Sequence, residues 1–407
     1  MNQATRDFIR SHANDDARQL ALHGTKDPEV DLPFALEQIA GRQKAKTKIP
    51  SWAAIDGMIY PPHLSMEQCS SEQTAQYKAS VFPPMHQRLL VDLTGGFGVD
   101  FSFMAKDFDR AIYVEREPSL CAISAENFKT LGLEQAEVVC ADGVDYLHHI
   151  EHADLIFIDP ARRNEYGGRT YSISDCTPNV LELMDELTAK ANCVMVKLSP
   201  MLDWRKAVTD IGRVSEVHIV SVDNECKELL VLVNREKLIV NREEESIKVV
   251  CTNLLSDGTT QHFSFMATSS FSTHHSPLFT VHSSLITPDY LYEPNASIMK
   301  AGCFSLLEEH FRVSQLDRNS HLFVSEAPVN DFPGRKFAIV ATTSMNKREL
   351  KEALQGIDRA NIAVRNFPLS VVDLRKRLKL KDGGDVFIFA TTVANEGHKL
   401  FICRKIG

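Results

Sequence analysis

The chain of 407 residues lacks the features of a membrane or secreted protein. Its apolar runs are all shorter than the roughly 18 residues that a transmembrane helix needs. The first residues, MNQATRDFIRSHANDD, have neither an apolar core nor a cleavage pattern, so no secretory signal is predicted. The nine cysteines are scattered, with no C-x-x-C pair. We therefore expect a cytoplasmic protein with reduced thiols and no membrane association.

The charge of the chain is unevenly distributed. The net charge is −9, yet residues 335–407 contain 15 Lys and Arg against 7 Asp and Glu, a local charge of +8, which leaves −17 for the rest. A basic tail on an acidic body suggests that the tail meets a polyanion. A solvated basic surface without a partner explains the count equally well.

The order of predicted elements divides the chain into four regions. Residues 1–80 form a helical extension, in which Ser65 to Val81 is predicted as one helix. Residues 81–235 alternate between strands and helices, which predicts a mostly parallel sheet covered on both faces. Residues 236–330 form a small α+β connecting domain, for which a ferredoxin-like fold is one option, with a helix from Glu293-Pro294-Asn295 to Phe311. Residues 331–407 form a basic α+β module.

A glycine-rich turn follows the first strand of the alternating region. The predicted strand, residues 89–93, contains Asp92 just before the turn, and the turn reads Thr94-Gly95-Gly96-Phe97-Gly98. Glycines allow a sharp turn and let a ligand approach the backbone, and the next helix directs free N–H groups to the same place. A dinucleotide fingerprint needs a third glycine where this chain has Phe101. The turn therefore predicts a nucleotide-type cofactor and disfavours an NAD dehydrogenase.

Acidic residues lie at the carboxyl ends of the first four strands: Asp92, Glu115, Asp142 and Asp159. Glu115 follows Gly95 by about the 20 residues at which nucleotide-binding folds place an acid on the ribose hydroxyls. An exposed carboxylate at a strand end is the alternative for Glu115. Ligands of open α/β sheets bind beyond the carboxyl ends of the strands, so these four side chains are expected to surround one site.

These motifs resemble those of class I S-adenosylmethionine (SAM) methyltransferases over about residues 65–235. The resemblance implies a Rossmann-like, seven-stranded methyltransferase sheet with SAM as the cofactor. It implies that Asp92 lies near the amino-acid part of SAM and that Asp142 accepts a hydrogen bond from adenine. Phe97 could pack on the adenine, with ordinary core packing as the alternative.

The turn after the fourth strand, Asp159-Pro160-Ala161-Arg162, resembles the [DNS]-P-P-aromatic motif of methyltransferases that act on nitrogens. It lacks the second proline and the aromatic residue. Asp159 is predicted to orient the acceptor or take its proton. Arg162 and Arg163 are candidates for gripping a phosphate, although an ordinary surface loop would also account for them.

Lys78, Asp159, Lys197 and Glu228 occur in the order of the K-D-K-E tetrad of ribose 2′-O-methyltransferases. In such a tetrad, a lysine whose pKa is lowered by a neighbouring cation could deprotonate a hydroxyl. Lys and Glu are common residues, so chance alignment is an alternative. Base methylation, with Asp159 holding a nitrogen, is slightly favoured over ribose methylation.

The basic tail contains a predicted amphipathic helix with Val371, Leu374 and Leu378 on its apolar face. Arg375, Arg377 and Lys379 point elsewhere and are candidates for phosphate contacts. Gly383-Gly384 is expected to stop this helix. The tail, with YEPNASIMKAG (292–302), EQCSSEQTAQYKA (67–79) and IDPARR (158–163), resembles a bacterial methyltransferase family that carries a C-terminal THUMP-like domain.

The resemblance implies an enzyme, a SAM-dependent methyltransferase, acting on RNA such as tRNA or rRNA. A catalytically silent RNA-binding scaffold and a protein or small-molecule methyltransferase are the alternatives. The intact acids at the strand ends disfavour the silent scaffold. No metal is expected, because the histidine pairs His148-His149 and His274-His275 lack further ligands at recognisable spacing.

Overall fold

The computed structural model describes residues 1–82, 87–162, 172–235, 246–268 and 288–406, and for Arg162 it describes the backbone alone. The chain divides into two compact units. The first comprises residues 1–217 and 228–247, and the second comprises residues 218–227 and 248–407. Each unit is described by itself below.

The helices of the first unit begin in the N-terminal extension and continue between the strands. Their bounds are Gln3–Ser11, Ala17–His23, Leu32–Lys48, Pro50–Ala53, His63–Gln68, Glu72–Val81, Val99–Met104, Pro118–Thr130, Gly143–His149, Val180–Lys190 and Trp204–Ile211. The helices of the second unit are Ala296–Ala301, Phe304–Phe311, Lys347–Ala353 and Val371–Leu378.

The strands are numbered in chain order. They are β1 (Leu89–Asp92), β2 (Arg110–Glu115), β3 (Ala136–Cys140), β4 (Ala153–Ile158), β5 (Ala161–Arg162), β6 (Cys176–Thr177), β7 (Ala191–Leu198), β8 (Glu216–Val222), β9 (Glu225–Asn234), β10 (Ser246–Leu254), β11 (Thr260–Thr268), β12 (Tyr290–Pro294), β13 (Ser314–Gln315), β14 (Phe323–Ser325), β15 (Gly334–Thr343), β16 (Asn361–Arg365), β17 (Val386–Val393) and β18 (Gly397–Lys405).

The predicted seven-stranded sheet is present and confirms the fold class. Its strands are ordered β3-β2-β1-β4-β7-β9-β8, and β10 and β11 extend the sheet beyond β8. The neighbouring strands in the order β3, β2, β1, β4 and β7 pair in parallel, whereas β9 is antiparallel to β7. A two-residue turn, Asp223-Asn224, joins β8 to β9 with positive φ at both residues, as a type I′ hairpin turn requires. The parallel order brings the carboxyl ends of β1 to β4 to one edge.

The helix predicted from Ser65 to Val81 is wrong in one respect, because the chain forms two helices with a break at Cys69–Ser71. Ser71 has an extended backbone, and its side chain accepts a hydrogen bond from the Thr74 N–H. This N-cap starts a new helix and interrupts the previous one. The helix predicted up to Phe311 is likewise two helices, because Gly302 takes a left-handed conformation between them.

The N-terminal helices pack on the segment that follows β1. Trp52 and Tyr60 share a buried cluster with Phe97 and Val99. Two buried side-chain amides hold the backbone at Ile59 and Tyr60. The Asn127 side chain exchanges hydrogen bonds of 2.8 Å with the backbone of Ile59. The Gln38 side chain exchanges hydrogen bonds of 2.8 and 2.9 Å with the backbone of Tyr60. This packing connects the extension to the edge where the glycine turn lies.

The second unit contains a seven-stranded sheet in the order β13-β14-β12-β15-β18-β17-β16. One apolar cluster holds Phe337, Phe389 and Phe401, and a separate cluster holds Leu374, Ile388 and Ile402. Since Ile388 and Phe389 are consecutive strand residues, the two clusters lie on opposite faces of the sheet. Helices Lys347–Ala353 and Val371–Leu378 both pack into the second cluster, and therefore cover the same face.

Candidate active site

The glycine turn after β1 is shaped by protein packing as much as by room for a ligand. A Cβ on Gly95 would lie 2.2 Å from the ring of Tyr113, and a Cβ on Gly98 would lie 2.8 Å from Phe128. Gly96, with φ +56°, has more room, since its nearest neighbour would be the Thr94 carbonyl oxygen at 3.8 Å. Of the three predicted ligand-facing glycines, Gly96 is therefore the one with open space beside it.

The acids after β1 and β2 bracket this turn. Asp92 is buried and its Oδ1 accepts the Thr94 N–H at 2.9 Å. Burial, together with the neighbouring carboxylates of Asp100, Asp159 and Glu115, raises the pKa of Asp92 to about 8. Glu115 accepts the Gly96 N–H at 2.8 Å through Oε2 and the Glu117 N–H at 2.8 Å through Oε1. Asp92 and Glu115 thus each bind a backbone N–H of the turn, Asp92 at Thr94 and Glu115 at Gly96.

The other predicted cofactor residues have local structural roles. Asp142 caps helix Gly143–His149 by accepting the N–H groups of Val144 and Asp145. Phe97 is buried and packs edge-on against Trp52, with ring centroids 5.1 Å apart. Phe97 therefore packs in the core, which was the alternative to packing on the adenine. Only the backbone of Phe97 takes part in the turn. Pro160 is buried beside Asp159.

Asp159 follows β4 and is tied to the glycine turn. Its backbone N–H donates to Thr94 Oγ1 at 2.7 Å, while Thr94 Oγ1 lies 3.4 Å from Asp92 Oδ1. The Asp159 carboxylate is 38 % exposed and lies 2.6 Å from Lys197 Nζ. The predicted acceptor-facing acid is therefore partly open to solvent and directly paired with the lysine near the end of β7.

The four residues of the predicted tetrad meet in one network. Lys78 Nζ contacts both carboxylate oxygens of Glu228 at 2.7 Å, deep in the protein. Lys197 Nζ contacts Asp159, at the exposed end. Asp100 connects the two pairs, with Oδ1 at 3.1 Å from Lys78 Nζ and Oδ2 at 3.4 Å from Lys197 Nζ. Exposure of the side chains rises from 0 % at Lys78 to 38 % at Asp159.

Ser70 is a further member of this network. Its Oγ donates to Asp100 Oδ2 at 2.7 Å and lies 3.3 and 3.2 Å from the Nζ atoms of Lys78 and Lys197. Ser70 lies in the break between the two helices that the sequence had predicted as one. The sequence analysis missed Ser70 and Asp100, because a serine before a helix and an acid in a helical first turn are ordinary capping residues.

The network shifts the pKa values of three of its members and corrects one prediction. Burial lowers the pKa of Lys197, but the carboxylates of Asp159, Asp100 and Glu228 outweigh it and hold that pKa well above its usual value. Burial opposes the ionised form of Asp100, yet the two lysines lower its pKa. Burial raises the pKa of Glu228 despite Lys78. The raised pKa of Lys197 is opposite to the lowered pKa expected of a lysine base, so that expectation is wrong for Lys197.

The chain is similar over its whole length to a solved structure of a candidate methyltransferase from Porphyromonas gingivalis W83. The identity is 31 %, the TM-score is 0.84, and the match covers 99 % of this chain and 98 % of the other. The chain belongs to this methyltransferase family. The family predicted from the motifs is therefore confirmed.

Family models match two segments of the methyltransferase. Residues 290–333 match a ferredoxin-like domain, and residues 334–405 match a THUMP domain-like model. No curated protein matches the chain at the level of sequence.

Two further solved structures resemble the methyltransferase weakly. An rRNA methylase from Streptococcus thermophilus is 16 % identical with a TM-score of 0.29, covering 40 % of this chain and 93 % of that one. TrmK from M. capricolum, bound to S-adenosyl-homocysteine, is 11 % identical with a TM-score of 0.31, covering 40 % and 67 %. Similarity at this level does not indicate the activity of the chain.

The three predicted phosphate ligands on and after the basic helix of the methyltransferase, Val371–Leu378, differ in their surroundings. Arg375 donates to the carbonyls of Ala360 and Lys381 at 2.9 and 3.1 Å and pairs with Asp382 at 2.6 Å. Arg375 therefore braces its own module, and its role as a phosphate ligand stays a prediction. Arg377 and Lys379 are exposed.

The end of this helix also differs from the sequence prediction. The helix stops at Lys379, whose φ of +58° provides the left-handed C-cap, and not at Gly383-Gly384.

Two further predictions concern residues with limited structural description. Arg163 lies outside the described residues, and Arg162 is described only as backbone in β5, paired with Cys176 of β6.

Within the described ranges, no three His, Cys, Asp or Glu side chains are arranged to hold a metal ion. In the same part of the chain, no helix has the length and hydropathy needed to cross a membrane.

Proposed function

We propose that this methyltransferase uses SAM to methylate RNA, and that the acceptor is a base nitrogen held by Asp159. The observation that carries the proposal is the position of the Asp159 carboxylate. It lies after β4, partly exposed, 2.6 Å from the Lys197 ammonium, and its backbone is joined to the glycine turn through Thr94. An acceptor beside Asp159 would thus lie next to a cofactor held at the turn.

The residues at the turn suit SAM. The cofactor supplies a methyl group activated on a positively charged sulfur, and its amino-acid part carries an ammonium group. Asp92 would hold the amino-acid part, because a buried carboxyl crowded by other acids is relieved by an approaching cation. Glu115 would bind the ribose hydroxyls, and Asp142 the adenine amino group. Gly96, with open space beside it, leaves room for the ligand to approach the protein backbone.

Asp159 and Lys197 would act on the acceptor. The Asp159 carboxylate accepts a hydrogen bond from the acceptor N–H, which aligns the nitrogen for in-line transfer, and then receives the proton that the nitrogen loses. The Lys197 ammonium, 2.6 Å from the Asp159 carboxylate, keeps that carboxylate in place.

RNA as the substrate class is supported by the second unit. Its THUMP domain-like segment coincides with the basic tail, and exposed Arg377 and Lys379 lie on or directly after a helix that packs by Leu374. Cations on such a helix can neutralise backbone phosphates without reading the sequence of the RNA.

Ribose 2′-O methylation is a second candidate, because Lys78, Asp159, Lys197 and Glu228 assemble in one network. The raised pKa of Lys197 weighs against it, since a ribose hydroxyl needs a stronger base than a carboxylate and Lys197 holds its proton. The two candidates differ in the methylated nucleoside that they produce.

The test is mass spectrometry of RNA nucleosides from a deletion strain complemented with variants. We expect one methylated base to disappear on deletion and to return with the wild type and with Asp107→Asn, an exposed acid outside the site. Asp159→Asn should not restore it, because loss of the proton acceptor costs about 100-fold or more in rate.

Three other outcomes have distinct meanings. A missing 2′-O-methylated nucleoside would favour the second candidate. RNA binding without transfer of label from SAM would indicate a silent scaffold. Labelling of protein or metabolites, with every RNA nucleoside unchanged, would contradict the RNA proposal.

A further inference from the structure

We propose that Asp100, aligned by Ser70, positions Lys197 against Asp159 and so fixes the carboxylate that faces the acceptor. This inference rests on the proposed function of Asp159 and adds two residues to its site. Asp100 and Ser70 are not expected to touch the substrate. They act through Lys197, and are positioning residues.

The first step of the argument is the division of partners between the two lysines. Lys78 has Glu228 as its own counter-ion, with both oxygens at 2.7 Å. Lys197 has Asp159 as its counter-ion, and the Asp159 side chain is partly exposed. Asp100 is the one carboxylate within 4 Å of both ammonium groups among the described residues. Without Asp100, Asp159 would be the only carboxylate among the described residues paired with Lys197, and Asp159 must also receive the acceptor.

The second step is the rigidity of Asp100. It is the second residue of helix Val99–Met104, which starts at Gly98 of the glycine turn, and each residue of this helix is buried. The backbone of Asp100 is therefore fixed relative to the cofactor turn. An ion pair from a fixed, buried carboxylate holds its partner in one place, whereas a pair with a mobile surface acid does not.

The third step is the role of Ser70. Its hydroxyl donates to Asp100 Oδ2 at 2.7 Å, which orients the same oxygen that Lys197 approaches. The hydroxyl oxygen also lies 3.2 Å from Lys197 Nζ. Lys197 thus has three oxygen neighbours, on Asp159, Asp100 and Ser70, which match the three protons of an ammonium group.

The test uses the full-length protein and a readout that does not depend on RNA. Lysines are labelled with traces of acetic anhydride between pH 7 and 11 and quantified by mass spectrometry, with exposed Lys129 as the internal reference. Asp100→Asn keeps the size of the side chain but removes its charge. We expect Lys197 to become reactive at a pH about one unit lower in Asp100→Asn. Asp107→Asn should leave the profile unchanged.

The second readout is kinetic. With the RNA found in the nucleoside experiment, Asp100→Asn should lower kcat by about tenfold to a hundredfold and change KM for SAM by less than about threefold. Ser70→Ala should change both readouts in the same direction and by less. If Asp100→Asn does not fold, as judged by circular dichroism, Ser70→Ala decides with the same two measurements.

The proposal is overturned if the labelling profile of Lys197 does not move in a folded variant. It is also overturned if kcat falls without that shift, or if the shift occurs without a fall in kcat. A wild type that methylates no RNA would contradict the proposed function. In that case, the labelling profile alone decides whether Asp100 positions Lys197.

Discussion

Asp92 is a carboxyl group with almost no contact with solvent, at the point where a cationic cofactor is proposed to bind. Its burial and its acidic neighbours raise its pKa to about 8. An unfolded chain ionises an aspartate near pH 4. Between these values the folded protein holds a proton that the unfolded chain has lost. Raising the pH therefore favours unfolding, and the cofactor-free protein should lose stability from about pH 4 up to about pH 8.

We predict that Asp92→Asn removes this dependence, because an amide keeps the oxygen that accepts the Thr94 N–H but does not titrate. For one proton, the free energy of unfolding of the wild type should fall by about 1.4 kcal/mol per pH unit near pH 6, and by about half as much per unit at pH 8, where the folded carboxyl is half ionised. Urea unfolding at pH 6, 7 and 8 measures this slope in both proteins. A slope that is the same in wild type and variant would contradict the assignment to Asp92.

The basic helix Val371–Leu378 shows how one element divides its cations between structure and binding. Arg375 is bound to two backbone carbonyls and to Asp382, whereas Arg377 is exposed. The sequence pattern placed both on the polar side of the helix, because periodicity separates apolar from polar positions but does not tell which cation finds a local acceptor. The contacts of the turn that follows the helix make this distinction.

We predict opposite effects for the two arginines. Arg375→Ala should lower the free energy of unfolding of the second unit by about 1–3 kcal/mol, since the carbonyl of buried Ala360 loses a charged donor. Arg377→Ala should change stability by less than about 0.5 kcal/mol but weaken RNA binding and reduce its salt dependence by about one phosphate contact. Thermal unfolding and RNA-binding titrations at several salt concentrations measure both. Equal loss of stability in the two variants would contradict this division.

Most elements could be predicted from the sequence, and the exceptions have local causes. The alternation of strands and helices predicted for residues 81–235 is present, since β-branched and apolar runs between turn residues define the strands. The break at Cys69–Ser71 depends on a hydrogen bond from Thr74 to Ser71, and a serine also occurs inside helices. Asp100 was out of reach, because its role arises only when Lys78 and Lys197 arrive from distant segments.

In the molecule as a whole, the two segments with separate family matches form one sheet. Strand β12, from the ferredoxin-like segment, pairs with β15, from the THUMP domain-like segment, over five residues from Tyr290 to Pro294. Glu293 in β12 is buried and binds Arg335 and Arg365, both from the second segment. A Cβ on Gly334 would lie 2.1 Å from the Glu293 carbonyl, so the strands approach closely there. The two segments therefore stabilise each other.

We predict that Glu293→Gln loosens this shared sheet. The two arginines are about 40 % exposed and keep some hydration, so the loss should be about 2 kcal/mol and not the larger value of a fully buried pair. Both tryptophans, Trp52 and Trp204, lie in the first unit, so fluorescence would not report the change. Hydrogen exchange measured by mass spectrometry should show faster exchange in β12 and β15. Glu309→Gln, at an exposed position, should leave exchange unchanged. Faster exchange confined to β12 would mean that the THUMP domain-like segment is stable on its own.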